Sequence, residues 1–318
     1  MMASEKSATF PDLAPSALAG RRRLSQEKTV AFVIAIAPAV WLAGLAYDGE
    51  LGVRPIHEAI RVSGDWALQL LWLTLFISPA RRILAAPRLI RARRILGLGA
   101  FGLTALHIGL YACELEFDWA QISLEIVLRV YLAIGAVSTV LLAALAATST
   151  DRAIAGLGSL RWNRLHRLVY LAAPLAAVHF LLRSRTNTFE PMLMLGLFAW
   201  LVGVRSIHHW TGRLTAGRLT ELAVACAVLT AAAEIAWHAA ATGIDPWQLL
   251  AADFSLAYGL RPAWWVLVAG VAAAVAGAWR LPRETTGIAY DRHRPQSREV
   301  EPPSAPRPIA ISPTEPST

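Results

Sequence analysis

Three histidines, His107, His166 and His179, lie in or beside long apolar runs, where an imidazole is costly unless something pairs with it. Imidazole is also a good axial ligand for heme iron. His166 and His179 stand thirteen positions apart in the stretch from Trp162 to Leu182. At ~1.5 Å rise per helical residue they are roughly 20 Å apart along one axis, one near each face of a bilayer. His107 follows Arg94 by thirteen residues in a separate apolar run. If both runs cross in the same direction, His107 and His179 reach similar depth on different helices. Two imidazoles placed so can clamp a planar heme from both sides, which holds a b-type heme without covalent attachment. There is no CxxCH, so a c-type heme is unsupported. In the plainer alternative each histidine merely bonds a backbone carbonyl between helices.

Apolar helices must position these groups. The chain has 318 residues, 56% hydrophobic and only 16% charged, too little charge to cover a soluble domain. Its formal charge of +8 comes almost entirely from arginine, since Lys6 and Lys28 are the only lysines. The arginines cluster in short loops between apolar runs rather than along a basic stripe, which argues for membrane topology and against nucleic acid. Cys113 and Cys226 are isolated and form neither a CxxC nor a zinc pattern.

Eight apolar runs are expected to be helices: 30–46, 66–77, 95–112, 130–147, 165–182, 191–204, 219–241 and 262–279. Several are shorter than the ~20 residues a lone span needs, which suits a bundle that shields short spans. The fold class is therefore an all-α polytopic transmembrane helix bundle. The first run follows Arg21, Arg22, Arg23 and Lys28 and has signal-peptide features; it is read as an uncleaved first helix. The arginine-rich segments, around 21–28, 81–94, 152–164 and 205–218, alternate with acidic loops. This predicts a bacterial inner-membrane protein with both termini cytoplasmic. Residues 1–27 and the proline-rich tail 281–318 read as disordered.

At family level, LIRARRILGL from Leu89, then His107, Thr148-Ser149-Thr150 and LHRLVYLAAPLAAVHFLL from Leu165 resemble the heme-binding membrane subunits of the periplasmic methionine-sulfoxide reductase system. This is the MsrQ or YedZ family, within the ferric-reductase-like transmembrane superfamily. The resemblance covers roughly residues 30–210. It implies a six-helix ferric-reductase-like core (28–212) that binds heme b, is associated with FMN, and passes electrons to a periplasmic molybdopterin methionine-sulfoxide reductase. It also implies that His107, His166 and His179 are the heme-binding histidines. Arg93-Arg94 stand where the wider superfamily usually has a second histidine, so one heme is expected, and His166 lacks an opposite ligand for a second. Arg129-Val130-Tyr131 replaces the family's frequent Arg-Pro-Tyr. Two additional C-terminal helices (213–280) lie outside the resemblance.

Smaller signals complete the reading. Gly97 to Gly102 matches GxGxxG, but it lies in an apolar helix rather than between strand and helix, which favours helix packing over nucleotide binding. Thirteen residues at 100° put His166 and His179 on different faces of a straight helix, so either a kink at Pro174 corrects the phase or the two serve different sites. Arg94 and Arg164 are candidates for a heme propionate or flavin phosphate. Glu234 and His238, one turn apart, could pair on one face, with a proton or quinone role conceivable. No stretch offers a soluble flavin or nicotinamide domain, so a cytoplasmic flavin reductase or membrane quinol is the expected donor. The alternative functions are a transmembrane ferric reductase component and a non-redox scaffold or transporter.

Overall fold

The computed structural model describes residues 26–184, 187–255 and 259–279. The tail 281–318 and nearly all of the segment 1–27 lie outside the described residues. The described chain forms α1 (Gln26–Tyr47), α2 (Pro55–Ile83), α3 (Arg93–Glu114), α4 (Trp119–Leu128), α5 (Val130–Ala147) and α6 (Asp151–His166). It continues through α7 (Val169–Arg183), α8 (Phe189–Thr211), α9 (Ala216–Thr242), α10 (Pro246–Asp253) and α11 (Pro262–Ala278). Among the described residues there is no strand.

Local chemistry sets the ends of these helices. Proline at the first helical position opens α2, α10 and α11, where its missing N–H costs nothing. Asp118, Thr150, Thr215 and Asp245 accept backbone N–H groups at the starts of α4, α6, α9 and α10. Gly212 and Gly243, both left-handed, close α8 and α9.

Among the described residues, six helices are long and apolar enough to span a membrane, and α6 with α7 passes the same test as a pair bent by 41°. The 17-residue α11 is apolar but shorter. The expected runs fall mostly in helical chain, so the all-α polytopic bundle stands. Large apolar side chains such as Phe32, Val40, Val140, Val228 and Val275 point outward, the distribution a lipid-facing surface requires. Small residues line the helix contacts instead. A methyl group on Gly99 of α3 would stand 2.6 Å from Ala35 Cβ of α1, so the GxGxxG stretch serves close packing here.

The helices associate in pairs, α2 with α3, α5 with α7, and α9 with α11 and α8. Where a single helix over 165–182 was expected, the chain breaks at Arg167-Leu168. The amides of Arg167, Leu168, Tyr170 and Leu171 each bond three residues back, tightening the backbone into 3₁₀ geometry. Pro174 lies inside α7, downstream of the break. His166 therefore ends one helix and His179 sits on the next.

Candidate functional site

α3 carries His107 and α7 carries His179, and each imidazole is anchored on the neighbouring helix of its own pair. His107 Nδ1 lies 2.8 Å from the Ile60 carbonyl on α2, and His179 Nδ1 lies 2.7 Å from the Tyr131 carbonyl on α5. A carbonyl only accepts, so Nδ1–H donates in both cases, and Nε2 is left with its lone pair. This is the tautomer that a metal-binding imidazole needs, with the second nitrogen held by a backbone acceptor. The plainer reading of these histidines, a carbonyl bond between helices, is thus true of Nδ1 and compatible with ligation through Nε2.

The same device occurs on both sides. Four residues beyond each accepting carbonyl stands a glycine, Gly64 on α2 and Gly135 on α5. A Cβ on Gly64 would meet His107 Nδ1 at 2.9 Å, and one on Gly135 would meet His179 Nδ1 at 2.7 Å. In an α-helix the i+4 amide lies beside carbonyl i, so a ring that reaches that carbonyl must lie over residue i+4. Only glycine leaves the space. The sequence reading missed both glycines; the available signal was a glycine at matching depth on each adjoining apolar run.

The two rings face one another with centroids 6.5 Å apart and planes at 85°. Two imidazoles sharing one metal through bonds of ~2.0 Å have centroids roughly 6 Å apart, so the separation fits a shared iron. Both rings line a cavity of about 540 Å³, within the ~300–1,000 Å³ range of cofactor pockets. Its walls include Leu68 and Leu71 of α2, Thr104 and Ile108 of α3, Trp119 and Ile122 of α4, Leu142 of α5 and Phe180 of α7. These mostly apolar side chains suit a porphyrin face, and the donor set suits heme.

A polar network borders the cavity. Tyr111 donates to Glu125 at 2.7 Å, and Arg129 reaches Glu125 and the Tyr131 hydroxyl, each at 3.3 Å. These two groups raise the pKa of the Arg129 guanidinium, the Tyr131 hydrogen bond more than the Glu125 charge. Tyr131 is the residue whose carbonyl holds His179.

The other expected site residues lie elsewhere. His166 does not line the cavity; it stacks on Trp162 with centroids 3.9 Å apart, and its Nε2 lies 3.4 Å from Thr148 Oγ1. Trp162 in turn donates to the Thr148 carbonyl at 2.9 Å. Arg94 binds Asp151 at 2.6 Å, and Arg164 is exposed on α6. Neither arginine lines the cavity, which is bordered instead by Arg54, Arg61, Arg129 and Arg183. Glu234 pairs with Arg261 at 2.6 Å, and His238 Nε2 meets Thr188 Oγ1 at 2.9 Å. No group of three or more His, Cys, Asp or Glu side chains that could hold a metal ion occurs among the described residues.

Comparison with known proteins identifies relatives of this chain. The family described as "Ferric reductase like transmembrane component" matches residues 63–177, a range that holds Gly64, His107, Gly135 and His166 and ends just before His179. The chain is similar to the protein-methionine-sulfoxide reductase heme-binding subunit MsrQ of Caulobacter vibrioides, 43% identical over 57% of this chain and 86% of that protein. It is similar to the subunits of the same name from Polaromonas naphthalenivorans, at 38% identity over 58% of this chain and 85% of that protein, and from Rhodospirillum rubrum, at 37% over 60% and 92%. No solved structure matches the chain. With identity of this level over most of each relative's length, the chain belongs to the MsrQ family of heme-binding subunits.

Proposed function

We propose that this protein is the heme b membrane subunit of a methionine-sulfoxide repair system, in which His107 and His179 would hold the heme iron. The supporting observation is the facing pair itself, two imidazoles 6.5 Å apart with both Nδ1 atoms committed to backbone carbonyls. Relatives named as heme-binding subunits of protein-methionine-sulfoxide reductase add to it. The electron acceptor is then a periplasmic molybdopterin methionine-sulfoxide reductase, and the donor a cytoplasmic flavin reductase or membrane quinol. The protein lies in the bacterial inner membrane with both termini cytoplasmic, so the histidine pair is near the periplasmic face.

A heme b bound there supplies a one-electron iron couple whose potential depends on ligation, hydrogen bonding and burial. The protein's own contribution is geometric and electrostatic. The Ile60 and Tyr131 carbonyls hold both imidazoles in the ligating tautomer and raise their basicity. Gly64 and Gly135 let each ring approach its carbonyl. Leu68, Leu71, Leu142 and Phe180 give the cavity apolar walls, while α2, α3, α5 and α7 fix the position of the pair across the bilayer.

We assign Arg94 and Arg164, toward the cytoplasmic side with His166, to the phosphate of the FMN that the family resemblance implies. The domain division follows the same reading: a heme-binding core over 28–212, and an addition over 213–280.

The test is a reduced-minus-oxidised spectrum with heme and flavin quantitation on the purified protein. We expect low-spin b-type bands that vanish in His107→Ala and His179→Ala and persist in His166→Ala. Heme retained by both of the first two variants, or absent from the parent, would sink the assignment. The match to ferric-reductase-like components supports a second reading, direct reduction of external metal; iron-dependent oxidation of the reduced protein without a partner would favour it.

A further inference from the structure

The cavity between His107 and His179 is bordered by four arginines, and three of them are committed. Arg54 binds Glu114 at 3.3 Å, Arg61 binds Glu58 at 3.1 Å and Asp65 at 3.2 Å, and Arg129 binds Glu125 at 3.3 Å. Arg183 differs: it makes no side-chain hydrogen bond or ion pair among the described residues. It is the last residue of α7 and follows His179 by four positions, so its side chain shares the imidazole's face one turn further along.

Arg183 also lines a second, polar cavity of about 260 Å³ with Arg61, Asp65, Asn187 and Glu190. Arg61, Asp65, Phe180 and Arg183 border both cavities. Arg183 therefore stands where an apolar chamber meets a polar one. A b-type heme has the same division, an apolar macrocycle with two carboxylates on one edge. Asp65, Glu190 and the negative end of α7 all oppose a carboxylate at this boundary, and Arg61 is already occupied by Glu58 and Asp65. The positive charge that offsets them is Arg183.

Resting on the heme reading above, we propose that Arg183 binds a heme propionate and so sets which edge of the porphyrin faces the end of α7. Guanidinium and carboxylate match in geometry and charge, and such bonds strengthen where water is scarce. Arg94 and Arg164, the arginines first considered for a propionate, do not border this cavity.

The test uses the full-length protein in detergent, loaded with either native heme b or its dimethyl ester, and follows heme loss to an apomyoglobin scavenger. We expect the parent to hold native heme on the order of 10- to 100-fold more firmly than the ester, the size of a charge-assisted hydrogen bond. Arg183→Gln should remove that preference, Arg183→Lys should keep part of it, and Arg88→Gln, in the 3₁₀ segment between α2 and α3, should leave it intact. Equal retention of the two hemes by the parent would overturn the proposal. So would an equal loss of both in Arg183→Gln, which would mark a structural role. Failure of the ligand reading is separate: heme retention in His107→Ala and His179→Ala would remove the site itself.

Discussion

His107 and His179 meet with ring planes at 85° although they lie on different helices, because each is tied through Nδ1 to a carbonyl of its own helix pair. The hydrogen bonds to the Ile60 and Tyr131 carbonyls orient each ring against its own helix pair. If both imidazoles held one heme iron in this orientation, their perpendicular planes would leave the iron dxz and dyz orbitals nearly degenerate. Frozen-solution EPR of the oxidised protein should accordingly show a highly anisotropic low-spin signal with one large g value. A rhombic spectrum typical of parallel imidazole planes would contradict this geometry.

The glycines make a paired prediction. Gly64→Ala and Gly135→Ala each put a methyl group under 3 Å from an imidazole nitrogen, so ring or helix must move. Overpacking of this kind costs about 1–3 kcal/mol. Each variant should lower heme occupancy or shift the spectrum toward a high-spin form, while Gly102→Ala, with nothing near its added methyl, should match the parent. Unchanged heme spectra in both ring-contacting variants would refute the role given to these glycines.

A third prediction concerns the C-terminal helices. Glu234 on α9 is 2% exposed and pairs with Arg261, just before α11, at 2.6 Å. Removing the carboxylate forfeits this charge-assisted bond to a partly exposed arginine, about 1.5–3 kcal/mol. Glu234→Ala should lower the thermal unfolding midpoint in detergent and leave the heme spectrum intact, because neither α9 nor α11 lines the cavity between His107 and His179. Loss of heme in parallel with stability would instead show that the two parts unfold as one.

Orientation can be checked with reporter fusions. The arginines of the α2–α3 connection and of α6 predict a cytoplasmic location for those segments. Alkaline phosphatase joined after Glu116 should be active, and joined after Arg213 inactive. The reverse pattern would place the histidine pair on the cytoplasmic side and exclude a periplasmic acceptor.

The sequence alone determined a good deal. Eight apolar runs, several too short to stand alone, pointed to a helix bundle, and the spacing of His107 from Arg94 and of His179 from His166 put both histidines at similar depth. Those are one-dimensional quantities, and a helix converts residue number to depth at a fixed rise. Azimuth and pairing are different, since they depend on how helices rotate against each other. Only the tertiary structure brought the Ile60 and Tyr131 carbonyls to the imidazoles, and only then did Gly64 and Gly135 acquire a purpose. It also resolved the phase between His166 and His179: consecutive i→i+3 bonds at Arg167-Leu168 break the helix before Pro174. Arg183 was visible all along as the residue four places after His179. Its distinction from Arg94 and Arg164 depends on which cavity each one borders, and packing decides that.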